Sequence, residues 1–380
     1  MSRRVVKRAY KYRFYPTPQQ AGLLNRTCGS VRYVYNRALA ERSRAWTQDQ
    51  HRVTFAETCR MLTAWKNDPE TAWLYEVSNV ALQQGLQHLQ QAYVSFWQKR
   101  ARYPRFKSRK RSRASATFTT SGFRYKNGQV TLAKMDEPLA VAWSRPLPAG
   151  AEPSTVTVSR DAAGRWHISI LVEDTVETLP TVDTTVGIDA GITSLVTLST
   201  GEKITNPKHE KRDRIALARA QRNLSRKAKG SANRAKAQIK VARVYARITD
   251  RRRDHLHKLS TKIIRETQTV IIEDLPVRNM IRNHSLARAI SDAAWAEFRR
   301  QLEYKADWYG RTVIAVDRFY PSSKTCSACG AITASMPLNM REWTCQCGAV
   351  HDRDVNAAKV LQAAGLAVLA CGDGVRPPRT

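Results

Sequence analysis

The sequence of 380 residues lacks any hydrophobic run long enough to cross a membrane. Its longest uncharged apolar stretch, residues 360–372, spans 13 residues, whereas a membrane-spanning helix needs about 20. The basic N-terminus MSRRVVKRAYKYRF also lacks the apolar core and small-residue cleavage site of a secretory signal. We therefore expect no membrane partner and a location in the prokaryotic cytosol, at the nucleoid when the protein is bound to DNA.

Acidic residues are also scarce, with 32 Asp and Glu against 64 Lys and Arg and a formal net charge of +32. Such an excess destabilises a compact fold by self-repulsion unless an acidic ligand binds. A hydrophobic content of 42% excludes a disordered polybasic tail. Nucleic acid is the expected partner.

Cysteine is sparse outside one cluster. Three of the seven, Cys28, Cys59 and Cys371, are scattered and are predicted to be inert packing residues. The other four lie within 22 residues, in CSACG and CQCG: Cys326, Cys329, Cys345 and Cys347. In a reducing cytosol this spacing favours a metal over disulfides. Four thiolates would complete the coordination shell of one structural Zn²⁺, although the second pair has one intervening residue, which makes Cys347 the less certain ligand.

The hydrophobic period changes along the chain. Apolar residues recur at three- and four-residue spacing from residue 17 to about residue 100, which predicts a helical module. Between residues 114 and 177 the period is two, as in STVTVSRDAAGRWHISILVE, which predicts strands joined by a DAAG turn.

Two segments concentrate the positive charge. Residues 99–113 contain nine basic residues and no acid, together with Tyr103 and Phe106. Residues 207–258 hold 18 Lys and Arg against four acids and predict two helices broken near KGSAN. Either segment could be a solvated surface. We expect contact with nucleic acid, because the charges can neutralise phosphates while aromatic rings stack on bases.

Three carboxylates follow apolar strands or begin a helix. Asp189 ends the strand in TVGIDAGI, Glu273 ends the strand in TVIIEDL, and Asp354 opens the helix in VHDRDVNAAKVLQAAG. An Asp in such a place commonly forms a turn or a helix cap. Three of them could instead meet at one sheet edge and hold two Mg²⁺ ions about 4 Å apart for phosphodiester hydrolysis. Asp352 could be a cap or a neighbour of the ligands, and Asp354 is preferred because it directly opens the helix.

Several motifs resemble the TnpB family, the transposon-encoded RNA-guided nucleases related to type V CRISPR effectors. They are KYRFYPTPQQ, VRYVYNRAL, PRFKSRK, VGIDAGI, IIEDLPVRNM, PSSKTCSACG, HDRDVNAAKV and CGDGVRP. The resemblance covers nearly the whole chain and is most specific in the last three motifs. Matched to the family's motifs, Asp189, Glu273 and Asp354 stand where its catalytic acids stand.

The resemblance implies a multidomain α/β fold. Its parts would be a wedge β-barrel at residues 1–16 and 114–180, a helical recognition module at 17–113, a RuvC-type, RNase H-like nuclease domain at 181–318 and 351–380, and an inserted zinc ribbon at 319–350.

The function implied by the resemblance is metal-dependent cleavage of double-stranded DNA that matches a guide RNA and lies beside a short flanking motif. The guide RNA would come from the transposon end and lie against the basic helices, so that base pairing reads the target. Two other functions stay open: a guide-dependent DNA-binding repressor that has lost cleavage, and a strand-transferring transposase. The three intact acids favour the nuclease over the repressor.

Overall fold

The computed structural model describes residues 3–337 and 339–370. The chain forms two compact units, here called the N-terminal unit, Val5–Asp174, and the C-terminal unit, Met1–Arg4 with Thr175–Thr380. The motif CGDGVRP and Cys371 lie outside the described residues. In the part of the chain that is described, every helix is too short or too polar to cross a membrane.

Most strands of the first half of the chain join one sheet in the order β2-β6-β7-β1-β5, and β3 pairs with β4 in a hairpin. The strands are β1 (Arg3–Phe14), β2 (Ala114–Thr119), β3 (Phe123–Lys126), β4 (Gln129–Leu132), β5 (Val141–Ala142), β6 (Pro153–Arg160) and β7 (Trp166–Glu177). Alternate residues of β6 and β7, such as Val156, Val158, Ile168 and Ile170, are buried. The predicted DAAG turn is confirmed, with Gly164 at a φ of 81°.

Three helices of the N-terminal unit confirm the helical prediction for residues 17–100: α1 (Pro18–Asp49), α2 (Phe55–Asn67) and α3 (Asn79–Trp97). The first begins with a capping box, in which the Gln20 N–H donates to the Thr17 hydroxyl and the Thr17 N–H donates to the Gln20 side chain. Leu24, Leu82 and Leu86 are almost fully buried in a core shared with the sheet.

The C-terminal unit is built on a second five-stranded sheet, in the order β10-β9-β8-β11-β12. Its strands are β8 (Thr185–Ala190), β9 (Ser194–Leu198), β10 (Lys203–Thr205), β11 (Thr269–Glu273) and β12 (Thr312–Val316). The first three pair antiparallel, whereas β11 runs parallel to both β8 and β12. The carboxyl ends of β8 and β11 therefore meet at the same edge.

The remaining elements of this unit are α4 (His209–Ser225), α5 (Ala232–Glu266), α6 (Val277–Met280), α7 (Ala287–Ala293), α8 (Trp295–Tyr309), the hairpin β13 (Glu342–Thr344) and β14 (Val350–Asp352), and α9 (Arg353–Ala370). The pair α4 and α5 confirms the two basic helices and their break. Asp213 on α4 joins them by ion pairs to Arg247 and Arg251 of α5.

Helix α9 lies directly on the second sheet because two glycines leave room for it. A Cβ atom on Gly187 of β8 would lie 2.0 Å from the Ala358 carbonyl oxygen of α9, and one on Gly365 of α9 would lie 2.4 Å from Cγ1 of Ile271 in β11. The Gln362 amide also donates to the Thr185 carbonyl at 2.8 Å. The helix thus contacts the two strands that carry Asp189 and Glu273.

We expect Gly187→Ala to destabilise the C-terminal unit by about 3 kcal/mol, because the added methyl would overlap backbone and displace α9. The control is Gly29→Ala in α1, where the added Cβ would meet no atom within 4 Å apart from its chain neighbours and the backbone of its own helix. Helix propensity should add up to about 1 kcal/mol of stability there. Urea unfolding followed by circular dichroism measures both. A Gly187→Ala protein that unfolds at the wild-type urea concentration would contradict this account of the packing.

Candidate functional site

The three predicted acids lie around one edge of the second sheet. Asp189 is the penultimate residue of β8 and Glu273 is the last residue of β11. The register pairs Ile188 with Ile272, so the two acids follow neighbouring positions on parallel strands. Asp354 is the second residue of α9, the helix that packs on both strands. Two parallel strands and one helix thus bring the acids together.

Their negative charges act on one another. Desolvation raises the pKa of the half-buried Asp189, the charges of Asp354 and Glu273 raise it further, and the value reaches about 7 even though Arg353 opposes the shift. The pKa of Glu273 is raised by desolvation and then by the neighbouring Asp274. Anions held together under desolvation favour the binding of a cation.

Among the described residues, the four clustered cysteines form the one group of three or more ligand atoms that all lie within 4.8 Å of one another. The acids share a sheet edge and an electrostatic field.

Asp352 has a different environment from Asp354. Its carboxylate accepts the Val355 N–H at 3.0 Å and forms an ion pair with Lys203 at 2.5 Å. Desolvation raises its pKa, but these contacts outweigh that effect and hold the pKa below the usual range. Asp352 therefore acts as the cap of α9, which begins at Arg353. Asp352 thus takes the cap role that the sequence left open, and Asp354 lies in the first turn of α9. The choice of Asp354 as the catalytic acid stays a prediction.

Two contacts of the acids were missed by sequence reasoning. The Arg341 guanidinium lies 3.6 Å from the Asp354 carboxylate. Asp274 forms ion pairs with Arg299 of α8 and Arg318, which follows β12, and so secures the end of β11 next to Glu273. The pair of adjacent acids in IIEDL could have indicated that Asp274 has basic partners. Nothing in the local sequence distinguishes Arg341 from the other basic residues.

The four clustered cysteines have the spacing of a tetrahedral metal shell. The Sγ atoms of Cys326 and Cys347 are 3.8 Å apart, and those of Cys329 and Cys345 are 3.6 Å apart. Four thiolates at 2.3 Å from one zinc would be separated by about 3.8 Å, whereas a disulfide needs about 2.05 Å. Cys347 joins the group in spite of its shorter spacing in the sequence.

The surroundings of Cys326 favour its thiolate, whereas those of Cys329 favour the neutral thiol: the Ala331 backbone N–H lowers the pKa of Cys329, but hydrogen bonds with the other three cysteines outweigh it and raise the pKa to about 12. Desolvation raises the pKa of Cys326, but backbone N–H groups of Cys329 and Ala328 and the His351 ring outweigh it, and the pKa falls to about 6. The His351 Nε2 atom lies 3.0 Å from Cys326 Sγ. Sequence reasoning also missed this imidazole, although it directly precedes the acids in VHDRD.

The basic segments differ in what they expose. Arg222, Arg226 and Lys227 are exposed at the end of α4 and beyond it. In the segment 99–113, Phe106 is 64% exposed. Tyr103 is 44% exposed, and its hydroxyl shares hydrogen bonds with the Ser43 and Tyr93 hydroxyls. Phe106 is therefore the more exposed of the two rings.

Comparison with known proteins finds three family models that match successive parts of the chain. Residues 1–51 match a helix-turn-helix domain of the OrfB_IS605 family, residues 167–284 match the OrfB_IS605 family described as a probable transposase, and residues 295–361 match the Cas12f1-like TNB domain. A protein of Streptomyces pristinaespiralis is 65% identical over 98% of this chain and 93% of its own length. The Escherichia coli K12 protein named "Putative RNA-guided DNA endonuclease InsQ" is 35% identical over 98% of this chain and 95% of its own length.

The fold is similar to that in the cryo-EM structure of the Cas12f1–sgRNA–target DNA complex. The TM-score is 0.58 at 13% identity, over 94% of this chain and 99% of that one. The two sequence relatives show that the chain belongs to the TnpB family. This confirms the resemblance found in its motifs.

We expect Cys326→Ser, Cys329→Ser and Cys347→Ser each to release close to one zinc per chain and to lower stability, because a structural zinc contributes folding free energy directly. Zinc content by elemental analysis and the thermal midpoint test this. Cys59→Ser, in α2 of the other unit, should retain zinc. Native protein that contains no zinc would contradict the assignment.

Proposed function

We propose that this chain is a transposon-encoded, RNA-guided DNA endonuclease that depends on divalent metal ions. The observation that carries the proposal is the group Asp189, Glu273 and Asp354 at one sheet edge of a chain with a net charge of +32. The Streptomyces pristinaespiralis and Escherichia coli relatives carry names of RNA-guided DNA endonucleases, and we extend that activity to this chain.

The proposed domains follow the family's order. The sheet of three antiparallel strands joined to two parallel ones, with α9 packed on it, supports a RuvC-type, RNase H-like nuclease domain at residues 181–318 and 351–380. The cysteine cluster supports a zinc ribbon at 319–350. Residues 1–16 and 114–180 would form the wedge barrel around the helical recognition module at 17–113.

In this proposal the acids hold two Mg²⁺ ions and the four cysteines hold one structural Zn²⁺. Bound Mg²⁺ would activate a water molecule and stabilise the oxygen that leaves the scissile phosphate. The carboxylate oxygens of Asp189, Glu273 and Asp354 suit a hard cation. Asp352, with Lys203, keeps the start of α9 in place.

Guide RNA and target double-stranded DNA are the proposed partners. The basic surface of α4 and α5 would contact the RNA backbone, while base pairing selects the DNA and a short motif beside the target is read by the protein. DNA as the substrate also argues for action in the prokaryotic cytosol, at the nucleoid.

The decisive experiment separates cutting from binding. We expect Asp189→Ala, Glu273→Ala and Asp354→Ala to lower Mg²⁺-dependent cleavage of a guide-matched DNA at least about a hundredfold, because metal stabilisation of the transition state amounts to several kcal/mol. Guide and target binding should stay within a few-fold, since the basic helices and base pairing supply it. Asp352→Ala, which removes a cap, should keep partial activity.

The assay scores cut ends against joined ends and measures DNA binding in parallel. Wild-type protein that binds matched DNA and never cuts it in Mg²⁺ or Mn²⁺ would replace the endonuclease with the repressor. Joined products would favour the strand-transferring transposase.

A second test concerns the RNA surface. Replacing Arg222, Arg226 and Lys227 by Gln should weaken guide RNA binding and reduce the slope of log affinity against log salt by about 2, because each lost phosphate contact removes about 0.7 released counterions. Arg234 is left intact because its guanidinium donates to the Leu224 and Lys227 carbonyls and has a structural role.

The control removes three charges from exposed lysines of the first half of the chain, Lys7, Lys126 and Lys134. It should leave the salt slope close to that of the wild type. Equal slopes for all three proteins would mean that α4 and the loop after it present only a solvated surface.

A further inference from the structure

We propose that Asn356 is a positioning residue that couples the four-cysteine site to the group of acids at the sheet edge. It lies on the first turn of α9, two residues after Asp354, and its side chain is 1% exposed. The contacts of the Asn356 side chain connect the two sites. Its consequence for cutting rests on the function proposed above.

Both polar atoms of the Asn356 side chain bind the backbone next to Cys326. The Nδ2 atom donates to the Thr325 carbonyl at 2.7 Å, and the Oδ1 atom accepts the Ser327 N–H at 2.9 Å. Thr325 and Ser327 are the residues immediately before and after Cys326. A buried amide that satisfies two backbone groups at once fixes both distance and orientation.

The backbone around Cys326 is itself tightly held. The Cys326 N–H donates to the Ala331 carbonyl and the Gly330 N–H donates to the Cys326 carbonyl, both at 2.9 Å. The Ala328 N–H also points to the Cys326 sulfur at 3.4 Å. A metal on the cysteines would lock this loop further, so the loop and the Asn356 side chain should move together.

The other end of the link is the packing of α9 on the sheet. Ala358, two residues after Asn356, contacts the backbone of Gly187 in β8, the strand of Asp189. Asp354 is therefore held between the cysteine loop on one side and β8 on the other. The Arg353 N–H also donates to the Arg341 carbonyl at 2.8 Å. Asn356 is the buried residue that connects α9 to the cysteine loop.

This arrangement makes a prediction that a purely structural asparagine would not. A change at Asn356 should loosen zinc and also alter the cation response of the acids, because the two sites share one rigid connection. An asparagine that only stabilises the cysteine loop would affect zinc alone.

The test uses Asn356→Asp, which keeps the shape and places an oxygen against the Thr325 carbonyl. The matched control is Gln362→Glu, which removes an amide donor from the same helix, where it contacts Thr185 of β8. We expect zinc transfer to a chromogenic chelator to become at least about tenfold faster in Asn356→Asp, as for other residues that orient metal ligands. Gln362→Glu should release zinc at the wild-type rate.

The second readout is the Mg²⁺ concentration for half-maximal cleavage. It should rise several-fold in Asn356→Asp, with guide and target binding unchanged. If Asn356→Asp does not fold, Asn356→Ser serves instead. Unchanged zinc release overturns the proposal, and so does faster release with a wild-type Mg²⁺ requirement.

A third readout needs neither a variant nor cleavage. Stripping zinc from the wild-type protein should speed hydrogen exchange of the amides of residues 353–358, and unchanged exchange there would overturn the coupling. Should the wild-type complex never cut DNA, the endonuclease proposal fails, while zinc release and hydrogen exchange still decide whether Asn356 links the two sites.

Discussion

The contact between Gly187 and Ala358 is the constraint on which the candidate site depends. The backbones of strand β8 and helix α9 touch there with no room for a Cβ atom. The two elements are far apart in the sequence, so this contact joins distant parts of the chain. This approach brings Asp354 close enough to raise the pKa of Asp189. Packing of fully buried side chains such as Ile271 and Leu361 opposes the mutual repulsion of the acids, so the fold holds charges together that would otherwise separate.

Much of this was predictable from local patterns. Apolar strands that end in Asp189 and Glu273 suggest one edge, because neighbouring parallel strands place their carboxyl ends together. The helical and strand periods identified the elements on both sides of residue 114, and the cysteine spacing identified the group of four thiols. Each of these signals lies within a few residues or depends on the spacing of hydrophobic residues, which every packed helix or strand must show.

The rest depends on contacts between distant segments. Asp352 and Asp354 both lie at the start of the same helix, and the sequence does not show which one caps it. The Val355 N–H and Lys203 of β10 decide in favour of Asp352. Asn356 looks like an ordinary polar residue in a helix until the loop around Cys326 is placed against it. Tyr103 and Phe106 look alike in the sequence, and only the structure shows that the Tyr103 hydroxyl is engaged by Ser43 and Tyr93 while its ring stays 44% exposed.

The charge distribution gives the proposed cycle an order of events. An excess of basic residues attracts nucleic acid over long distances, but a desolvated group of carboxylates repels a phosphate that comes close. Cations at the acids would reverse that repulsion, so a backbone could bind along the basic helices before any phosphate settles at the sheet edge. In the proposed cycle, binding and cutting would draw on different residues of one chain: exposed Lys and Arg for the first, and the acids at the start of α9 and at the sheet edge for the second. A nuclease arranged in this way can hold nucleic acid stably and still make cutting depend on the final placement of one phosphate.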